Sequence, residues 1–78
     1  MVNALRQGAP VIAADIGGTK ILAALFLPDG KLFAKATRPT NAAEGVNPVI
    51  DRLFSAFDDL LSQNGVKASQ LEGIGIAC

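Results

Sequence analysis

Residues 11–27, Val11-Ile12-Ala13-Ala14-Asp15-Ile16-Gly17-Gly18-Thr19-Lys20-Ile21-Leu22-Ala23-Ala24-Leu25-Phe26-Leu27, decide the fold. Val11 to Ala14 is a short continuous apolar run, the pattern of a strand buried on both faces. Asp15 stands at its C-terminal end, and Gly17-Gly18 interrupts the pattern with a tight-turn signal. Thr19 to Leu27 is β-branched and apolar and predicts a second strand. Two strands joined by so short a turn pair antiparallel.

Working outward, Pro28-Asp29-Gly30 is a second turn signal: proline presets φ for the first central position and glycine accepts a positive φ. Lys31 to Arg38 alternates, with Leu32, Ala34 and Ala36 on one face and Lys31, Phe33, Lys35 and Thr37 on the other. This predicts a third strand with one partly exposed face, ended by Arg38-Pro39. Val46, Val49, Ile50, Leu53, Phe54, Phe57, Leu60 and Leu61 then draw one apolar stripe at helical spacing. Asn47 is a candidate cap with Pro48 in the first helical position, and Asn64-Gly65 fits the stop. The phenylalanines are read as core. Asp51, Arg52, Ser55, Asp58, Asp59 and Ser62 are read as a solvated polar side. Val66 to Glu72 leads to Gly73-Ile74-Gly75-Ile76-Ala77-Cys78, a final buried strand. The helix crosses over to it, so a parallel pairing belongs somewhere in the sheet. The expected class is α/β, in the order β-β-β-α-β, with a mixed sheet whose first three strands are antiparallel.

The composition frames this reading. The chain has 78 residues, half of them hydrophobic and 18% charged, which is globular and allows one small domain. Seven basic and seven acidic residues cancel, so nothing marks a nucleic-acid or anionic-membrane partner. The run from Ile21 to Leu27 is too short to span a bilayer. Residues 1–9 read as a loose leader without the apolar stretch and cleavage site of a signal peptide. The single Cys78 has no internal disulfide partner, and a cytoplasmic location is the expectation. With no histidine, a His-Cys zinc site or a histidine base is excluded within the chain. Because the sequence stops inside an apolar strand, we expect a piece of a longer protein, with a small natural domain ending in an edge strand as the alternative.

The chemistry lies in Asp15-Ile16-Gly17-Gly18-Thr19-Lys20. Glycines let the backbone approach a polyphosphate without a Cβ in the way, and successive amides in such a turn can converge into an anion-binding nest. Thr19 adds a hydroxyl donor and Lys20 a cation. A phosphate chain carries a divalent metal, usually Mg²⁺, and Asp15 supplies a carboxylate to hold it directly or through water. The competing reading is an ordinary hairpin turn, for which Gly-Gly is a common dipeptide. A Walker P-loop is excluded by spacing and by the strand that follows. A dinucleotide fingerprint lacks its third glycine and its helix.

The stretch Ala13-Ala14-Asp15-Ile16-Gly17-Gly18-Thr19-Lys20-Ile21 closely resembles the first phosphate motif of the ROK family (repressors, open reading frames, kinases). That family belongs to the actin, hexokinase and heat-shock chaperone superfamily, with its ribonuclease H-like fold. The similarity continues through Pro28-Asp29-Gly30 and the helix to Gly73-Ile74-Gly75-Ile76, which is similar to the strand before the family's next Gly-Pro-Gly turn. It covers residues 10–78.

The resemblance implies a partial N-terminal ATP-binding domain of a sugar kinase. Asp15 is then the carboxylate that orients magnesium. Gly17, Gly18, Thr19 and Lys20 form the phosphate-contacting turn, flanked by Ala13, Ala14 and Ile16. Such kinases transfer the γ-phosphate of ATP to a hydroxyl of a hexose-type sugar and are commonly dimers or tetramers. Their catalytic aspartate, sugar-binding residues and zinc motif lie further along the family's chain, so Asp29, Asp51, Asp58 and Asp59 are not promoted to those roles. The expectation is that this chain alone is inactive. Two alternatives stand beside it: a ROK-type transcriptional regulator, for which too few residues precede Asp15 to form a DNA-binding domain, and a non-catalytic assembly module.

Overall fold

The computed structural model describes residues 9–77, so most of the expected leader and Cys78 lie outside the described residues. Four strands form one sheet in the spatial order β3-β2-β1-β4, where β1 is Val11–Ile16, β2 Lys20–Phe26, β3 Leu32–Pro39 and β4 Gly73–Ala77. One long helix, α1 (Val46–Gln63), stands between β3 and β4 in sequence, flanked by 3₁₀ turns at Ala42–Glu44 and Ala68–Gln70. β1–β2 and β2–β3 pair antiparallel, and β1–β4 pair parallel. The expected α/β class, the element order and the mixed sheet are all present.

Side-chain alternation determines which face is buried. Ile12 and Ala14 of β1 lie opposite Leu25 and Ala23 of β2, and Ile21 continues the same face. Leu53, Ala56, Phe57 and Leu60 of α1 close over them to form the core. Ala34 and Ala36 of β3, which the alternation placed together on one face, pack at its margin, while Leu32 of the same set is exposed. The small alanines let the helix approach the sheet, while the larger Ile12, Ile21, Leu25 and Leu60 fill the layer between and are almost fully buried.

Several expectations are corrected. Phe54 is 54% exposed, whereas Phe57 is buried, because the helix turns only one flank fully onto the sheet. The last strand is not buried. Ile74 and Ile76 pair in register with Ile12 and Ala14 and share their face. The helix, however, lies over β2 and β3, leaving them 60% and 52% exposed. β1 is buried on one face only, with Val11 and Ala13 partly covered on the other.

The helix also starts earlier than the capping signals place it. Gly45, at φ 104°, is the residue before the first turn, so Asn47 and Pro48 fall inside that turn. Proline is tolerated there because the first four N–H groups of a helix have no intrahelical acceptor. The stop falls where expected: Asn64 caps the helix, and Gly65, at φ 69°, lets the chain reverse so that Val66 N donates to Leu61 O at 2.9 Å. The polar side is not wholly free in solvent. Asp59 pairs with Arg38 of β3, and Arg52 pairs with Glu44, which ties the helix to the β3 side. Among the described residues no helix is long and apolar enough to cross a membrane.

The two phenylalanines offer a direct check of this packing. Phe57→Ala removes a buried ring and is expected to cost about 3–5 kcal/mol. Phe54→Ala is expected to cost under about 1 kcal/mol, since its ring is half in water already. Urea unfolding of both variants reads the difference; equal losses would mean that the helix faces the sheet differently.

Candidate functional site: the glycine turn and its support

The turn between β1 and β2 is closed by one backbone bond, Gly17 N to Lys20 O at 2.9 Å. Its outside is exposed from Gly17 through Lys20, and Asp15 is exposed as well. Asp15 lies opposite Leu22 of β2 and Ala77 of β4 and so belongs to the sheet face away from the helix. Lys20, opposite Pro39 of β3, projects from that same face at the same end. Neither forms an ion pair among the described residues. Carboxylate, ammonium, the Thr19 hydroxyl and the turn backbone are therefore gathered at one end of the sheet, exposed to solvent. The flanking residues divide: Ala14 and Ile16 turn their side chains to the core, and Ala13 faces the opposite side.

The two glycines differ in what they do for the fold. Neither has a positive φ, so the backbone conformation itself does not demand glycine at either position. A Cβ on Gly17 would lie 3.1 Å from Lys20 O, a tight approach to backbone that cannot easily yield. A Cβ on Gly18 would meet nothing within 4 Å and would project into open space. Nothing within the described protein requires Gly18 to lack a side chain. Something approaching from outside would require it.

Behind the turn stands Thr40, a polar residue that is only 3% exposed. Its hydroxyl donates to Gly17 O at 2.8 Å, and its N–H donates to Thr19 O at 3.0 Å. Arg52 of α1 donates through Nη1 to Thr40 O at 2.8 Å, while its other nitrogen meets the Glu44 carboxylate. Two carbonyls of the turn are thus occupied from the helix side. The N–H groups of Gly18 and Thr19 have no acceptor among the described residues. An apolar groove of about 490 Å³ adjoins the turn on the helix side, lined by Ile16, Gly17, Gly18, Val46, Val49 and Ile50.

Among the described residues no three His, Cys, Asp or Glu side chains cluster to hold a metal. A single carboxylate such as Asp15 suits Mg²⁺, which keeps much of its water and takes its remaining ligands from phosphates. No protein-family model matches the chain, and no curated protein matches it. Thr40 and Arg52 were not singled out by sequence reasoning as parts of the site. Thr40 follows a strand-ending proline in a polar loop, where a buried hydroxyl leaves no periodic signature.

The glycine contrast predicts opposite outcomes for two small substitutions. Gly18→Ala should leave thermal stability unchanged or raise it slightly, by up to about 1 kcal/mol, through a less flexible unfolded chain. Gly17→Ala should lower it, because the added methyl presses on Lys20 O. Calorimetric melting of both variants checks this; a Gly18→Ala variant that melts well below the parent would show that the fold itself needs that glycine.

Proposed function

We propose that this chain is the ATP- and phosphate-binding part of an ATP-dependent sugar kinase of the ROK type, with a ribonuclease H-like fold. The observation that carries the reading is Gly18: a glycine that packing among the described residues does not require, at an exposed turn with two N–H groups that find no acceptor among those residues. A polyphosphate is the kind of ligand that needs such an opening. The Gly18 and Thr19 amides and the Thr19 hydroxyl would bind phosphate oxygens, and Lys20 would offset their charge. Asp15 would hold a hydrated Mg²⁺, whose part in the chemistry is to neutralise charge on the transferring phosphoryl group. The mixed sheet and the strand-strand-strand-helix-strand order support the fold assignment.

The same reading assigns no catalytic base to this chain. In-line phosphoryl transfer needs a base to take the sugar hydroxyl's proton as well as a grip on the phosphates. Asp29, Asp51 and Asp58 are exposed on a turn and a helix remote from the glycine turn in sequence, and Asp59 is engaged by Arg38. The exposed apolar side chains of Ile74, Ile76 and Phe54 agree with a unit that works against further protein. The sugar pocket and base then belong to that further protein, and homo-oligomers of the complete kinase fit the same picture.

Titrating the 78-residue chain with ATP, with and without Mg²⁺, tests the reading by amide NMR. Shifts should concentrate at residues 15–20 and depend on the metal, and Asp15→Asn should remove the metal dependence. Gly18→Val should weaken binding at least about tenfold while the fold persists. Hexoses offered with ATP should not be phosphorylated. Shifts scattered over the apolar face, or turnover of a sugar by this chain alone, would overturn the assignment.

A further inference from the structure

Thr40 occupies an unusual position: a nearly buried hydroxyl whose bonding lies entirely with the phosphate turn and whose carbonyl is held by an arginine of α1. A glycine turn left to itself is loose. With no side chains at residues 17 and 18, rotation of the intervening peptides meets little resistance. An anion nest depends on those peptides holding one orientation, since an amide turned away contributes a carbonyl oxygen instead, which repels phosphate. Holding Gly17 O fixes the Gly17–Gly18 peptide plane and with it the Gly18 N–H, and holding Thr19 O fixes the Thr19–Lys20 plane, so the Gly18–Thr19 peptide, which carries the Thr19 N–H, has a held plane on each side.

We propose that Thr40 is a positioning residue for phosphate binding, and that Arg52, braced by Glu44, is the strut that holds it in place. The proposal rests on the phosphate reading of the turn and adds a requirement to it. The donors are organised before ligand arrives by a residue that never touches the ligand. Pre-organisation of this kind raises affinity by removing an ordering cost from the binding step. The chain of contacts runs from the Glu44 carboxylate to the Arg52 guanidinium, through the Thr40 carbonyl, hydroxyl and amide, to the two turn carbonyls. It joins the first turns of α1 to the β1–β2 turn without passing through the apolar core.

The hydroxyl can be isolated by comparing Thr40→Ser with Thr40→Ala, which both lose the methyl group and differ only in the donor. The probes are MgATP and, separately, magnesium with inorganic triphosphate. Thr40→Ser should bind within about twofold of the parent. Thr40→Ala should bind about five- to tenfold more weakly, the worth of one partly buried hydrogen bond. The Gly18 and Thr19 amides of the ligand-free Ala variant should gain motion in ¹⁵N relaxation, which a merely weakened core would not confine to the turn. Should Thr40→Ala fail to fold, Arg52→Met removes the strut and is expected to act in the same direction. Equal affinity of the Ser and Ala variants, with unchanged relaxation at the turn, overturns the positioning role while leaving the phosphate reading intact. Failure of the parent chain to bind either probe overturns the phosphate reading and this role with it.

Discussion

Contact between the inner face of the sheet and the Leu53–Ala56–Phe57–Leu60 stripe of α1 supplies the dry apolar interior of the described chain, and the other features follow from where that contact falls. Burying one face of three antiparallel strands beneath one helix sets the register of each strand, because a slip by one residue would turn Ile12, Ile21 and Leu25 outward. The helix is drawn over β2 and β3 rather than over the centre of the sheet, and the Arg38–Asp59 pair lies on that same side. Surface ion pairs add little stability. This one helps define which flank of α1 faces β3, and hence which flank leaves Val46, Ile50 and Phe54 in solvent.

That offset divides the molecule into a supported half and an open half. The glycine turn lies at the boundary. On its helix side it is held by Thr40, and beyond Thr40 by Arg52 and Glu44. On the opposite face Asp15 and Lys20 stand at the end of their strands, free of ion pairs among the described residues. The turn is therefore hydrogen-bonded from behind and open to solvent in front, the arrangement on which the proposed grip on a charged ligand rests.

Most of the architecture was legible in the sequence because it depends on short-range patterns. Alternation and continuous apolar runs gave the strands to within a residue or two, and the helical spacing from Val46 to Leu61 gave the helix. What the sequence left open depends on how elements meet. Periodicity marks Phe54 and Phe57 alike as apolar, yet only the angle of α1 against the sheet decides that one is buried. The Gly73–Ile76 run has the composition of a covered strand, while its exposure follows from the helix lying elsewhere. Asn47-Pro48 carried a plausible start signal, but Gly45, with its positive φ, turns the chain earlier. At the site, Asp15 to Lys20 announced themselves by residue type. Thr40 did not, since its importance comes from a contact made across the fold.

The parallel pairing of β4 with β1 joins residue 11 to residue 73, while β1–β2 and β2–β3 are hairpins and the helix packs onto strands that closely precede it. Closing that long loop carries the largest entropy loss in the topology, and its reward is small, because Gly73, Gly75 and Ala77 bring little side-chain surface. The hairpins and α1 can thus assemble as a local unit, with β4 docking last and leaving first in native-state fluctuations. Asp15, whose backbone pairs with Ala77, sits on the strand exposed by that departure. The order of assembly therefore reaches the carboxylate end of the turn through its β4 neighbour, whereas the carbonyls held by Thr40 belong to the part that forms early.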